Sequence, residues 1–519
     1  MSGHPRSLSL GGAAALLLSA CVGDAPVVRP VAGAVPDVVL RTRVSAQRAA
    51  QDVTPIALVD AAPARRAPER AAETGDELQL FELLENVERH FPLLLAAQEE
   101  IALAEAEQLA ARGRFDLRVI AQGDYAVDGY YQNEQTRLGL EQPTGLGGTT
   151  FFGGYKLGTG DFPIYDDGLR SNEGGELNAG LRVPLLAGRA IDPRRLAVWR
   201  AELSRAQADP AIAAKRLEVA RRAAHAYWKW VAAGQKRLIF ERLLRLAEDR
   251  QATIEQSAAL GDLPPLSVDD NQRLVVERRA IMVDAERELQ RAAIELSLYL
   301  RSAEGAPRQP EASELPIAFP VSLMPDQVVA GDDGQRALRL RPELRTLNLE
   351  LDKLQLELEQ ARNDLLPRLD VGAAVSQDLG DDVTVPDTKG PFELDLFFRF
   401  EVPLQRRTAE GRARELEARQ RKARRELQFA ADSVTAEVQD AASELQQAWE
   451  SIALVRESAR LASILEDAER AALGLGDSNL IDVNIREQQT AAAAARLIDS
   501  LATYFRALAD YKAALGVTD

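Results

Sequence analysis

The protein has 519 residues, and its 80 Asp and Glu against 63 Lys and Arg give a net charge of −17. This acidic balance argues against a nucleic-acid partner. A single cysteine excludes a disulfide framework, cysteine-based zinc sites and iron–sulfur clusters within the chain, and we expect no cofactor.

The segment 1–20 has the pattern of a signal peptide. Arg6 precedes an apolar run that ends at Leu18, and small residues lead into Cys21. This arrangement resembles a bacterial lipoprotein signal, which implies that Cys21 is acylated and begins the mature chain. The residue after the cysteine is Val22 and not Asp, which by the same resemblance implies that the protein is sorted to the outer membrane. An ordinary secretory signal with a chance cysteine is the alternative.

Residues 21–76 are rich in Pro, Arg and Ala without a sustained apolar period, which predicts a disordered N-terminal tether. A first structural repeat then follows over residues 77–302. Helix-forming residues dominate up to Arg112. Alternating apolar and polar residues predict strands at about 115–126 and 176–186. The Gly- and Tyr-rich stretch between the two strands is expected to be an extended surface loop.

A helix of unusual length is predicted from Pro193 to about Leu260, where a tip at about 260–266 leads into a shorter helix. At about 1.5 Å per residue such a helix reaches roughly 100 Å, which no compact domain requires. A Pro- and acid-rich stretch at 303–334 is interpreted as a linker or equatorial region.

The second half, residues 335–516, repeats the first. It has predicted strands at about 368–377 and 391–404, a long helix with coiled-coil spacing and a tip at about 474–480. The two tips align without gaps, with Leu260-Gly261-Asp262 matching Leu475-Gly476-Asp477.

Four strands with one apolar face indicate a lipid-facing sheet, because no other segment of similar hydrophobicity is left to cover them. A soluble sandwich is the alternative. Backbone groups cannot stay unpaired in lipid, so such strands must close into a barrel, and four strands from one chain are too few. Charged residues alternate with the apolar ones, which favours a water-filled barrel built from three or more chains.

At this point the chain resembles the TolC-like outer-membrane factors, also called outer membrane efflux proteins, over residues 77–516. The resemblance rests on the duplication, the paired tips, Gly180-Leu181-Arg182-Val183-Pro184-Leu185 and Arg506-Ala507-Leu508-Ala509-Asp510-Tyr511. It implies a mainly α fold with a small β membrane part, in which a homotrimer forms one 12-stranded β-barrel on a long α-helical barrel. The cysteine signal points to the lipoprotein branch of the family.

The resemblance also implies partners and a gate. The partners are a periplasmic adaptor protein, an inner-membrane transporter and outer-membrane lipid. Asp482 matches an acidic gate position of the family and would form a ring of three carboxylates. Ile485 replaces a second acidic position, so a hydrophobic constriction is the alternative to a purely electrostatic gate. A helix cap is the alternative role of Asp482.

Both tips resemble the family's contact motif for adaptor proteins. Glycine permits the tight reversal, and the exposed leucine beside it is suited to docking on a partner hairpin. A helical hairpin turn without a partner is the alternative. The predicted contact residues are Leu260, Gly261, Asp262, Leu263, Leu475, Gly476, Asp477 and Ser478.

Enzymatic activity is not expected. His90 and His225 have no second histidine at metal-ligand spacing, and the sequence has no ATPase signature. The predicted function is a passive outer-membrane exit channel driven by an inner-membrane pump. Two alternatives stay open: a lipid-anchored periplasmic coiled-coil scaffold, and the exit duct of a type I protein secretion system.

Overall fold

The computed structural model describes residues 77–163, 170–261, 263–322, 330–380 and 392–518. The predicted lipid attachment at Cys21 and the predicted tether lie outside the described residues. Eight α-helices are formed within this part of the chain. Those of the first half are α1 Leu80–His90, α2 Pro92–Arg112, α3 Pro193–Ala259 and α4 Leu266–Leu296, and those of the second are α5 Ala330–Leu340, α6 Pro342–Asn363, α7 Arg407–Leu475 and α8 Leu480–Leu515.

The two halves repeat one helical plan, in which a short helix pair, a long helix and a medium helix follow one another. The long helices α3 and α7 have 67 and 69 residues. Both predicted long helices are therefore confirmed, and α3 begins at the predicted residue and ends one residue before the predicted end. Local sequence explains where α3 begins, because the Asp192 carboxylate accepts hydrogen bonds from the first backbone N–H groups and Pro193 stands at the first helical position.

The strands form a single six-stranded antiparallel sheet in sequence order. Its members are β1 Arg118–Ala126, β2 Asn133–Pro143, β3 Thr150–Gly160, β4 Glu176–Pro184, β5 Arg368–Asp378 and β6 Phe392–Glu401. The four predicted strands correspond to β1, β4, β5 and β6. The expectation of an extended surface loop up to residue 175 is wrong, since β2 and β3 form a hairpin there.

The register gives the sheet one continuous apolar face. Directly opposed residues of antiparallel strands point to the same side, and the pairs Val119↔Leu140, Leu138↔Tyr155, Phe151↔Leu181, Ala179↔Val375 and Val371↔Phe398 lead across all six strands. Many of these side chains are exposed, and Leu396 and Phe398 are 78% and 76% accessible.

The opposite face of the sheet is charged and glycine-rich. Ion pairs join neighbouring strands there: Arg118 to Glu141 at 2.7 Å, Arg137 to Asp124 at 3.7 Å and Lys156 to Glu176 at 2.5 Å. The sheet therefore separates an apolar surface from a hydrophilic one.

The main core lies where the short helices meet α3 and α8. Trp228 of α3 stacks on Phe505 of α8 with 4.3 Å between ring centroids, and Tyr227 donates a hydrogen bond of 2.8 Å to the Leu78 carbonyl. Burying each such aromatic ring contributes on the order of 2–3 kcal/mol. Tyr511, from the C-terminal motif, is buried and donates to Asp333 at 2.6 Å.

The coiled-coil spacing predicted for α7 corresponds to a buried seam. Val434, Val438, Leu445 and Ile452 are at most 2% accessible. None of the described helices is both long enough and apolar enough to cross a membrane.

Candidate functional site at the helical tips

The two tips are tight reversals that depend on glycine. Gly261 after α3 and Gly476 after α7 have φ angles of +81° and +84°, which side chains with a Cβ rarely adopt. Among the described residues, apart from the neighbours of each glycine in the chain, no atom lies within 4 Å of where a Cβ would be at either position. Backbone conformation, and not crowding, therefore explains why glycine occupies both turns.

Each reversal presents a leucine to solvent. Leu260 is 71% accessible and Leu475 is 80% accessible, while Leu263 is half-buried. Asp262 lies outside the described residues. Exposed leucines at the ends of two helical hairpins form small apolar surfaces that neither hairpin covers itself.

The second tip is fastened to the end of α7. The Asp477 N–H donates to the Ala472 carbonyl at 2.9 Å, and the Ser478 hydroxyl donates to Glu469 at 2.5 Å. Asp477 and Ser478 thus fix the turn, and the Asp477 carboxylate remains at the surface.

Asp482 lies exposed in the first turn of α8. The cap of this helix is Asn479, whose side-chain oxygen accepts from the Asp482 N–H at 3.0 Å and whose amide donates to the Asp482 carboxylate at 2.8 Å. The carboxylate is therefore held in place, at the helix end where negative charge is favourable. The cap itself, the alternative role considered for Asp482, belongs to Asn479.

Ile485 follows one turn later and is 45% accessible, and Ile481, one turn before it, is 64% accessible. Residues four apart share one helix face. An exposed apolar stripe and an exposed carboxylate thus lie side by side on the first turns of α8.

The structure adds a buried ion cluster about two turns into α8 that the sequence did not reveal. The Glu487 side chain is 0% accessible and receives hydrogen bonds from Arg250 of α3 and from Arg278 of α4, the latter at 3.0 Å. Arg470 of α7 approaches the same carboxylate at 3.5 Å. One carboxylate therefore links all four helices of the two hairpins near their tips.

The surrounding contacts complete this cluster. Arg278, only 2% accessible, also donates to the Leu243 carbonyl at 2.8 Å, and Arg250 donates to the Asn484 side chain. Burial raises the pKa of Glu487, but the hydrogen bonds and charges of Arg250 and Arg278 outweigh it, so the pKa lies below its ordinary value. Glu487 is a charged partner in the cluster and not a neutral acid.

Sequence patterns could not identify Glu487, because its partners Arg250 and Arg278 belong to the other half of the chain. The one local signal is a glutamate on the buried face of α8, between Val483 and Ala491. A charge in an apolar stripe requires a partner of opposite charge, but the sequence does not identify which residue that partner is.

The fold is similar to those of several solved outer-membrane proteins. The open state of the MtrE outer membrane channel of Neisseria gonorrhoeae matches 85% of this chain and 89% of its own with a TM-score of 0.61 and 15% identity. VceC of Vibrio cholerae matches 85% and 96%, with a TM-score of 0.60 and 17% identity. The CmeC outer membrane channel of Campylobacter jejuni matches 84% and 85%, with a TM-score of 0.60 and 11% identity.

These likenesses confirm the predicted fold, a mainly helical chain with long helices and a small sheet. No protein-family model matches the sequence, and no curated protein matches it.

Proposed function

We propose that the protein is a TolC-like outer-membrane factor, the passive exit channel of a tripartite efflux system. The observation that supports this most directly is the six-stranded sheet, apolar on one face and charged on the other, joined to two long helical hairpins. The similarity to outer membrane channels such as MtrE and CmeC supports the same conclusion. These neighbours are channels and not enzymes, and the energy for transport comes from an inner-membrane pump.

The two faces of the sheet explain how a channel lowers the barrier to export. The apolar face of the sheet contacts lipid, while the charged face contacts water. The unpaired backbone groups of β1 and β6 cannot remain in lipid, so several chains must close the sheet. A homotrimer is the proposed assembly, and the long helices extend its duct through the periplasm.

The gate is proposed at the start of α8. In a trimer Asp482 contributes three carboxylates at the periplasmic end, and the stripe of Ile481 and Ile485 adds an apolar constriction. The Asn479 contact supports this role, because it holds the carboxylate in one orientation. The ion cluster around Glu487 acts as a strut that keeps the two hairpins together behind the gate.

The tips are proposed to contact the periplasmic adaptor. Leu260 and Leu475 are exposed at the ends of the two hairpins, and the adjacent glycines form the turns that hold them there. Lipid attachment at Cys21 is proposed to add an anchor in the outer membrane.

The alternatives account for less of the molecule. A lipid-anchored coiled-coil scaffold uses the helices but gives no reason for an apolar face across six strands. The exit duct of a type I secretion system differs in cargo, which the inner-membrane pump selects. Gene deletion followed by growth on toxic compounds separates efflux from polypeptide secretion.

Reconstitution in planar bilayers tests the channel. Purified full-length protein is expected to form trimers by cross-linking and to conduct ions. Protein that stays soluble without detergent and gives no conductance would show that the proposed function is wrong.

A further inference from the structure

We propose that the β2–β3 hairpin is an insertion that enlarges the membrane barrel, so that three chains close 18 strands and not 12. This inference rests on the proposed trimeric channel and goes beyond it, because it sets the width of the opening in the outer membrane. The expected count of 12 assumed four strands per chain, whereas the described chain forms six in one sheet.

The lengths of the two halves support an insertion. The stretch from Pro92 to Gly261 is longer than its counterpart from Pro342 to Gly476. The excess is almost equal to the length of the stretch 127–160, which runs from the end of β1 to the end of β3. Removing that stretch leaves two strands in each half, which is the plan of a plain duplication.

The inserted strands have the dimensions of membrane strands. A strand that crosses a bilayer needs about 9–11 residues. β2 and β3 have 11 residues each, and the other four strands have 9, 9, 11 and 10. All six therefore reach the spanning length.

The hairpin also continues both faces of the sheet. Leu138 and Leu140 of β2 and Phe151 and Leu157 of β3 lie on the same side as Val119 and Leu181. On the other side, Arg137 pairs with Asp124 of β1, and Lys156 with Glu176 of β4. A hairpin folded outside the barrel wall would have neither the continuous apolar face nor ion pairs to both neighbours.

The turn between β2 and β3 is built into the base of the sheet. Gly148 has a φ of +77°, and a Cβ there would lie 2.6 Å from the Gly188 carbonyl oxygen. Gln142 donates to the Phe115 carbonyl at 2.5 Å. This short turn lies at the helical end of the sheet. The residues at which β3 and β5 end, each followed by a longer connection, lie at the opposite end, which matches the usual asymmetry of outer-membrane barrels.

A second copy of this chain is the partner that fits the two open edges. β1 leads away from α2, and β6 leads back into α7, so β6 of one chain and β1 of the next would run antiparallel like every other pair of the sheet. Three copies of six strands give a closed ring of 18.

The added strands change the size of the opening. With strands about 4.8 Å apart and tilted by about 40°, a ring of 12 has a backbone diameter of about 24 Å and a ring of 18 about 36 Å. Barrels of 16–18 strands enclose an aqueous channel. The outer-membrane part would thus pass solutes much bulkier than a 12-stranded barrel admits. Solutes would then be selected by size at the tips of the helical hairpins.

Excision of residues 127–160 provides the matched variant. In the variant, Ala126, the last residue of β1, takes the place of Gly160, the last residue of β3. β1 therefore takes the position of β3 beside β4. Because an even number of residues is removed, every β1 side chain keeps its face. Cryo-electron microscopy of detergent-solubilised trimers then measures the ring in the full chain and in the variant.

The full chain is expected to show 18 strands, and the excised variant 12 with a ring diameter smaller by about one third. A full-length trimer that conducts but has a ring of 12, or a dimer of 12 strands, would overturn the inference. If the variant fails to fold, the strand count of the full chain still tests the inference. Absence of both trimers and conductance in the full chain contradicts the proposed channel itself.

Discussion

Glu487 and Arg278 form an ion pair that is closed to solvent, with 3.0 Å between the carboxylate and guanidinium atoms and side-chain accessibilities of 0% and 2%. Two buried charges are stable only while each satisfies the other. The pair joins α8 to α4, and Arg250 extends it to α3.

Replacing Glu487 with Gln tests this strut. The variant leaves Arg278 buried without a counter-charge, so we expect a loss of about 3–5 kcal/mol in the free energy of unfolding. Thermal unfolding in detergent measures the change. Glu457→Gln is the matched control, because its pair with Arg460 is exposed on α7 and its loss should have little effect. Equal melting temperatures for both variants would contradict the strut.

Acid should weaken the same contact. The folded-state pKa of Glu487 is lowered, so its contribution to stability is complete above the ordinary glutamate pKa of about 4.3 and is lost as the pH falls through the lower folded value. The melting-temperature difference between wild type and Glu487→Gln is therefore expected to stay constant near neutral pH and to shrink below about pH 4. A difference that grows in acid would mean that Glu487 is protonated in the folded protein.

Charge at the proposed gate is tested by Asp482→Asn, which keeps the size of the side chain. We expect higher resting conductance and weaker block by multivalent cations, because the proposed trimer would lose three carboxylates from its gate. Asp440→Asn, an exposed acid on α7, is the control. Single-channel currents that do not change with Asp482 would move the gate to another position.

The proposed lipid contact of the β2–β3 hairpin is tested by Leu138→Arg. A cation there is expected to cost about 2–4 kcal/mol near the bilayer midplane and to reduce membrane-inserted trimer, as Leu181→Arg should in β4. Arg137→Gln changes the neighbouring residue on the charged face and should be tolerated. Trimer yield from membranes is the measurement, and normal insertion of Leu138→Arg would argue that β2 does not face lipid.

Adaptor contact is tested by Leu475→Ser combined with Leu260→Ser. Both side chains are exposed, so folding and conductance should persist, while adaptor affinity should fall about tenfold or more if the leucines are central to the interface. Ile317→Ser, equally exposed in the loop between α4 and α5, is the control. Unchanged adaptor binding would leave the tips as plain hairpin turns.

Sequence alone determined the helical part of this protein. Long uninterrupted runs of helix formers, glycine at the two reversals and the repetition of the tip in the second half are local signals, and they located α3, α7 and both turns. Four strands were equally clear, because apolar and polar residues alternate in them without interruption over most of their length.

The hairpin was missed because its pattern is masked by glycine. Gly139, Gly154 and Gly158 stand where polar residues mark the charged face elsewhere, and the adjacent Phe151 and Phe152 break the alternation. Only pairing with β1 and β4 shows which face each residue occupies; Phe152, for example, lies on the charged face against Gly180.

The tertiary structure also decided the partners of Glu487. A sequence records that a charge lies on an apolar helix face, but an ion pair forms between atoms brought together by packing, and here the packing unites four helices from both halves of the chain. Local periodicity fixes what each segment becomes, whereas strand order and buried charge pairs depend on distances that exist only after the segments have assembled.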